Sequence, residues 1–141
     1  MRVMALDIGQ VRCGIAICDP SGSVASPLTV LPTRDLMENS KDFKRLLEDW
    51  APELFLCGMP YSLNGKTGKQ ALDVVSIAKA ISKNTGIHCE FFDERLSSGQ
   101  AKRILREKGM TEKDMRGKID MIAASIFLQT WLDSRKDLCN K

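Results

Sequence analysis

Three acidic positions stand where their surroundings make a carboxylate costly, and any chemistry this chain performs is best sought there. Asp7 lies in the apolar run Val3–Ile8 and alternates with Val3 and Ala5, so in a strand it shares their face. Asp93, followed by Glu94 and Arg95, comes directly after the apolar run from Ile87 to Phe92. Asp120 sits in a long apolar segment, with Ala123, Ala124, Phe127 and Trp131 on its own helical face. Burying an unpartnered carboxylate costs on the order of several kcal/mol, so each of these groups needs a cation, a set of hydrogen-bond donors, or an exposed place at the end of a strand.

Two of the positions fall at strand ends and the third on a helix that must cover the sheet, so the three can meet at one point. Successive strand residues point to opposite faces, so Asp93 and Glu94 do different jobs: one faces the site and the other caps the turn. Carboxylate oxygens are hard ligands that suit Mg²⁺ or Mn²⁺ better than zinc. The single His88 and the scattered cysteines supply no competing metal set. Two such ions about 3.5–4 Å apart activate water, orient a phosphate and stabilise a leaving oxygen, which is phosphodiester hydrolysis in outline. The plainer alternatives are that the three acids are structural and unrelated, and that Asp7 caps a turn ahead of Gly9.

The net charge of +3 is mild, but its distribution is uneven. Arg95 to Lys118 carries eight basic side chains against three acidic ones, whereas Asp35 to Glu53 carries six acidic against three basic. Such a gradient draws a polyanion to one side of a molecule, although a solvated helix face has the same signature. Gly65-Lys66-Thr67 is similar to the end of a phosphate-binding Walker loop. The glycine required five positions earlier is Pro60, which has no N–H to donate to a phosphate. The segment from Gly58 to Gly68 reads instead as a strand-to-helix loop with backbone donors at the helix start, Lys66 near a phosphate and Tyr61 available for stacking.

These residues need a scaffold. Val3–Ile8, Gly14–Cys18 and Ala25–Leu31 are short apolar runs separated by a turn around Gly9 and by Asp19-Pro-Ser-Gly, and they predict a three-stranded antiparallel meander. The period then changes. Phe43, Leu46, Leu47 and Trp50 mark an amphipathic helix ended near Pro52, and Ala71, Val74, Val75 and Ala78 mark another ended by Gly86. Leu54–Met59 and the run from Ile87 to Phe92 are the strands that precede and follow that second helix. A capping pattern at Ser97 and Gln100 opens a helix ended by Gly109, and a last, nearly all-apolar helix runs from about Met115 to Ser134. The order predicts an α/β fold: a mixed five-stranded sheet, a meander followed by βα alternation, with helices on both faces.

At 141 residues and 43% hydrophobic content, the chain is expected to form one domain over residues 1–141. No stretch approaches the roughly 18 apolar residues of a membrane span, and the N-terminus lacks signal-peptide architecture, so a cytoplasmic protein is expected. Cys13, Cys18, Cys57, Cys89 and Cys139 form no C-x-x-C pair and mostly lie in apolar runs, as reduced core thiols do.

Four blocks in order, Ala-Leu-Asp7-Ile-Gly9-x-x-Arg12-x-Gly14-Ile-Ala16, Gly58-x-Pro60 with Gly65 and Gly68, Asp93-Glu94-Arg95-Leu-Ser-Ser98, and Lys118-Ile-Asp120-x-x-Ala123-Ala124, closely resemble the YqgF/RuvX family across essentially the whole chain. The resemblance implies an RNase H-like fold related to the RuvC resolvases. It also implies a nuclease, described in that family both as a Holliday junction resolvase and as a processor of the 5′ end of the small-subunit ribosomal RNA precursor. The family's acidic triad would map onto Asp7, Glu94 and Asp120, as catalytic residues and as ligands of Mg²⁺ or Mn²⁺, leaving Asp93 in support. Cys18 departs from the serine usual in the family at that place, and it touches no proposed ligand.

The leading expectation is thus a metal-dependent nuclease with two ions, in which Arg12, Lys66, Arg95 and Lys118 hold the nucleic-acid backbone. Its partner would be structured RNA such as a ribosomal RNA precursor, or branched DNA if the chain acts as a junction resolvase. A monomer suffices for trimming RNA, and a homodimer suits a junction. Two other classes stand beside it. Asp7-x-Gly9 with Gly14 is also similar to the first phosphate loop of actin-like ATPases and sugar kinases, which need two such domains where this length fits one. A binding module that assists ribosome assembly without cleavage would gain nothing from carboxylates in its groove.

Overall fold

The computed structural model describes residues 2–59, 68–93, 109 and 119–139. Strands β1 (Val3–Ile8), β2 (Arg12–Cys18) and β3 (Ala25–Pro32) form the expected antiparallel meander. Helices α1 (Thr33–Met37) and α2 (Lys41–Trp50) follow, then β4 (Leu54–Met59), α3 (Lys69–Thr85), β5 (His88–Asp93) and, as the last described helix, α4 (Ile119–Cys139). The sheet order is β3-β2-β1-β4-β5, with β1, β4 and β5 parallel. The C-terminal ends of these three strands therefore lie at the same end of the sheet, and Asp7 and Asp93 are both near it.

Strand alternation divides the core in two. Met4, Leu6 and Ile8 of β1, with Cys13, Ile15 and Ile17 of β2, pack against Leu36, Phe43 and the Ala71, Val74, Ala78, Ile81 stripe of α1, α2 and α3. Val3 and Ala5, with Ala16, Cys18, Leu54 and Leu56, pack against Ala124, Phe127, Leu128 and Leu132 of α4. Each of the larger side chains buried there contributes about 1.5–3 kcal/mol by leaving water. Helices thus cover both faces, as the alternation of periods requires. Cys18, the family departure, accepts a hydrogen bond from the Val3 backbone N–H at 3.1 Å.

Differences from the sequence reading are local. β2 starts earlier, at Arg12, and β5 is displaced by one residue to end at Asp93. Helix α1 was not expected, because its five residues are too few to display a helical period. Ser40, also unremarked, caps α2 by accepting from the Phe43 N–H, and Ala51 ends that helix in the left-handed region just before Pro52. The expected end of the last helix at Ser134 is too early, since α4 runs to Cys139. The helix expected between Ser97 and Gly109 lies outside the described residues, as does the stretch from Met115 to Lys118.

Two hydrogen bonds fix α4 along its axis. The Gln129 side chain accepts from the Ala25 N–H at 2.8 Å and donates to the Ser23 carbonyl at 2.9 Å, gripping the β2–β3 turn from both sides. That turn is itself ordered by Asp19, whose carboxylate accepts from Ser21 Oγ and from the backbone N–H groups of Ser23 and Val24. These bonds hold the Asp19 carboxyl down at about 2.

Candidate active site

Asp7 continues the Val3, Ala5 alternation and so lies on the α4 face near the end of β1. Its register partner on β2 is Gly14. Gly14 belongs to the same face by alternation with Ala16 and Cys18, and the first turn of α4 rests directly on it. A Cβ built at Gly14 would collide with the carbonyl of Asp120 and stand 2.5 Å from the Met121 nitrogen. Only the bare backbone of a glycine admits the helix here. Small residues farther along, Ala123 and Ala124 on α4 and Ala5 and Ala16 below, keep the two layers close. Asp120 is thereby brought over the strand pair that carries Asp7.

Between the strands, Gly9 to Arg12 form a tight turn in which the Gly9 N–H donates to the Arg12 carbonyl at 3.0 Å. A Cβ at Gly9 would meet that same oxygen at 2.7 Å. Thr33, 2% exposed, ties the turn to the start of α1: its hydroxyl donates to the Gly9 carbonyl at 2.7 Å, and its N–H donates to the Val11 carbonyl at 2.9 Å. The held turn presents Arg12, on the α4 face, to Asp120. The Arg12 Nε–H donates to Asp120 Oδ2 at 3.0 Å, with the two side chains 50% and 28% exposed.

Asp7, Gly9, Gln10, Arg12, Gln70 and Asp120 line one open cleft of about 700 Å³. Gln70 comes from the first turn of α3, whose N-terminus follows Gly68. The structure therefore brings Asp7, Arg12 and Asp120 together, and it adds Gln70, which the sequence reading missed. The only available signal was its place at the start of a helix after a glycine-rich loop. Glu94, Lys66, Arg95 and Lys118 lie outside the described residues. So do Tyr61 and nearly all of the basic stretch after Glu94.

Asp93 falls on the other side of the sheet. Phe92 stacks on Phe127 of α4, with ring centroids 6.0 Å apart, whereas Cys89 packs into the core under α3. By alternation Asp93 shares the Cys89 side, away from Asp7 and Asp120.

On the other face of the sheet from Asp7 and Asp120, Cys13 is fully buried in the apolar core. Burial pushes its thiol well up, and the nearby carboxylates of Asp7 and Asp120 push it further. It stays a neutral packing group and offers no thiolate to a metal. Cys13, Cys18, Cys57 and Cys89 are all free thiols.

Among the described residues, no group of three or more His, Cys, Asp or Glu side chains is arranged to hold a metal ion. Asp7 and Asp120 alone supply two hard carboxylates to one open cleft, a donor chemistry that fits Mg²⁺ or Mn²⁺ once a third acidic ligand and water complete the set. Among the described residues, no helix is long and apolar enough to cross a membrane.

Comparison with known proteins agrees with this architecture. A model of the RuvX family, described as Holliday junction resolvase, matches residues 1–134. A protein of Thermosynechococcus vestitus named "Putative pre-16S rRNA nuclease" is 35% identical over 135 residues, covering 96% of this chain and 89% of its own. One of the same name from Syntrophomonas wolfei is 37% identical over 133 residues, with 94% of each chain covered. Among solved structures, Thermus thermophilus RuvC in complex with a Holliday junction substrate superposes with a TM-score of 0.57 at 14% identity, covering 96% of both chains. The Fowlpox virus resolvase in complex with Holliday junction DNA gives 0.55 at 12% identity, covering 96% of this chain and 99% of its own. At these identities the two structures establish a shared RNase H-like fold.

Proposed function

Since the chain belongs to the RuvX family, we propose that it is a metal-dependent nuclease that trims the 5′ end of the 16S ribosomal RNA precursor. The observation that carries this reading is the meeting of Asp7 and Asp120, from opposite ends of the sequence, in one open cleft. A polyanion is repelled by carboxylates unless cations sit between them, so two acids lining a nucleic-acid groove point to hydrolysis rather than to binding alone.

Asp7, Glu94 and Asp120 would hold Mg²⁺ or Mn²⁺, as a pair of ions. Glu94 enters on parity: Phe92 faces α4, and Glu94 follows it by two positions in the sequence. Such ions, held by these three side chains, would supply Lewis-acid chemistry for activating water and stabilising a leaving oxygen. The remaining work falls to the chain's own groups. The Gly14–Asp120 contact fixes the separation of the two described carboxylates. Arg12, Lys66, Arg95 and Lys118 hold phosphates, and Gln70, which lines the same cleft, offers amide donors. The reading carries with it a single cytoplasmic domain, active on RNA as a monomer.

A second reading, resolution of branched DNA by a homodimer, is favoured by the description of the family and by the shared fold of the two resolvases. The two are separated by comparing Mn²⁺-dependent cleavage of a ribosomal RNA precursor fragment and of a four-way DNA junction, with Asp120→Asn as control. Preferential cutting of the RNA supports the first reading, and symmetric nicking of the junction supports the second. Undiminished cleavage by Asp120→Asn refutes both, and metal-independent binding without cleavage leaves a ribosome-assembly factor.

A further inference from the structure

Arg12 was expected to grip phosphate, yet its guanidinium is engaged by Asp120. The pairing competes with metal binding, because a guanidinium seated on Oδ2 occupies the carboxylate oxygen that a divalent cation would take. We propose that Arg12 is an exchangeable counter-cation of Asp120: the guanidinium yields Oδ2 when a divalent cation is held there and turns to a substrate phosphate, so that cation and nucleic acid bind cooperatively through this side chain. The inference rests on the metal-dependent reading above and adds to it an order of events.

Three observations support it. The ion pair is open to water, with the arginine 50% and the aspartate 28% exposed, so solvent screens it and the guanidinium can part from Oδ2 readily. The backbone beneath Arg12 is held firmly by the Gly9–Arg12 and Thr33–Val11 bonds, so only the side chain needs to move. Arg12 and Asp120 line the same cleft as Asp7, so a released guanidinium remains within the site. While paired, the guanidinium neutralises Asp120 and lessens its repulsion of the other acid.

The test uses the full-length protein and two readouts that need no turnover. Mn²⁺ affinity is measured by titration calorimetry in the absence of nucleic acid, for wild type, Arg12→Gln and Asp120→Asn. Affinity for a fluorescein-labelled RNA hairpin is measured by anisotropy with and without Ca²⁺. Removing a competing positive charge should tighten Mn²⁺ binding in Arg12→Gln by up to about fivefold. Ca²⁺ should strengthen hairpin binding by wild type, and this gain should vanish in Arg12→Gln, since coupling between two ligands is reciprocal. Mn²⁺ affinity that is unchanged or weaker in Arg12→Gln would show that the arginine merely props the carboxylate, and would overturn the proposal alone. An undiminished Ca²⁺ gain in the variant would do the same. Failure of wild type to bind Mn²⁺ at all, or equal binding by Asp120→Asn, would overturn the metal reading as well.

Discussion

The backbone of Gly14 lies against the backbone of Asp120 with no room between them for a methyl group. Because Gly14 is also the register partner of Asp7, one close contact sets the spacing of two acids from opposite ends of the chain. Gly14→Ala must push the start of α4 outward. We expect a loss of about 1–3 kcal/mol in stability, as for other overpacked sites, together with weaker Mn²⁺ binding. Denaturant unfolding and calorimetry check both, and a variant with wild-type metal affinity would show that the contact does not govern the site.

Asp7→Asn and Asp120→Asn keep the size of the side chain and remove its charge. If the carboxylates hold catalytic ions, cleavage should fall by at least about a thousandfold, the scale of several kcal/mol of lost transition-state stabilisation. Thermal stability should be nearly retained, because Asn keeps the side-chain volume and the Arg12–Asp120 ion pair that is weakened is open to solvent. Single-turnover cleavage in Mn²⁺, alongside a melting curve for each variant, provides the check.

Thr33→Val preserves shape but deletes the hydroxyl that donates to the Gly9 carbonyl. The lost bond should cost about 1 kcal/mol. The larger effect should be on activity, because the turn that presents Arg12 loses one of its two ties to Thr33 and keeps only the Gly9–Arg12 and Thr33–Val11 backbone bonds. Thr33→Ser should restore cleavage close to wild type by replacing the donor, and failure of that rescue would argue that packing matters there and the hydroxyl does not.

Asp19 supplies a pH dependence unrelated to catalysis. Its carboxyl titrates at about 2 in the folded protein, held down first by the Ser21 hydroxyl and then by the backbone N–H groups of Val24 and Ser23. An unfolded aspartate titrates near about 3.9. The contribution of Asp19 to stability is therefore complete above about pH 4 and is lost as the pH falls through about 2. Carboxyl carbon chemical shifts followed by NMR should show this low midpoint, and Asp19→Asn should flatten the acid limb of the stability curve between those values.

What the sequence made legible and what it concealed follow from the range of the interactions. Asp7 and Asp120 were conspicuous because each interrupts an apolar pattern, and a period of two or of 3.6 assigns its face without knowledge of its neighbours. The Asp93–Glu94 ambiguity was also one of parity, and the packing of Phe92 on α4 puts Asp93 on the far face. Thr33, Gln70 and Gln129 were silent because each acts through tertiary placement, the first and third by hydrogen bonds to distant backbone. Arg12 was read as a phosphate ligand since sequence displays a charge but not its partner. Ser40 could have been found, three residues ahead of Phe43, as the cap of α2.

The covering of the first three strands by the last described helix has a bearing on how the protein is made. Val3, Ala5 and Ala16 have their apolar roof only once α4 is in place. During vectorial synthesis the meander leaves the ribosome early, with that face wet and its acid without the second carboxylate. If Asp7 and Asp120 work together as proposed, a nascent chain has no complete site: the second carboxylate arrives only with the segment that finishes the core.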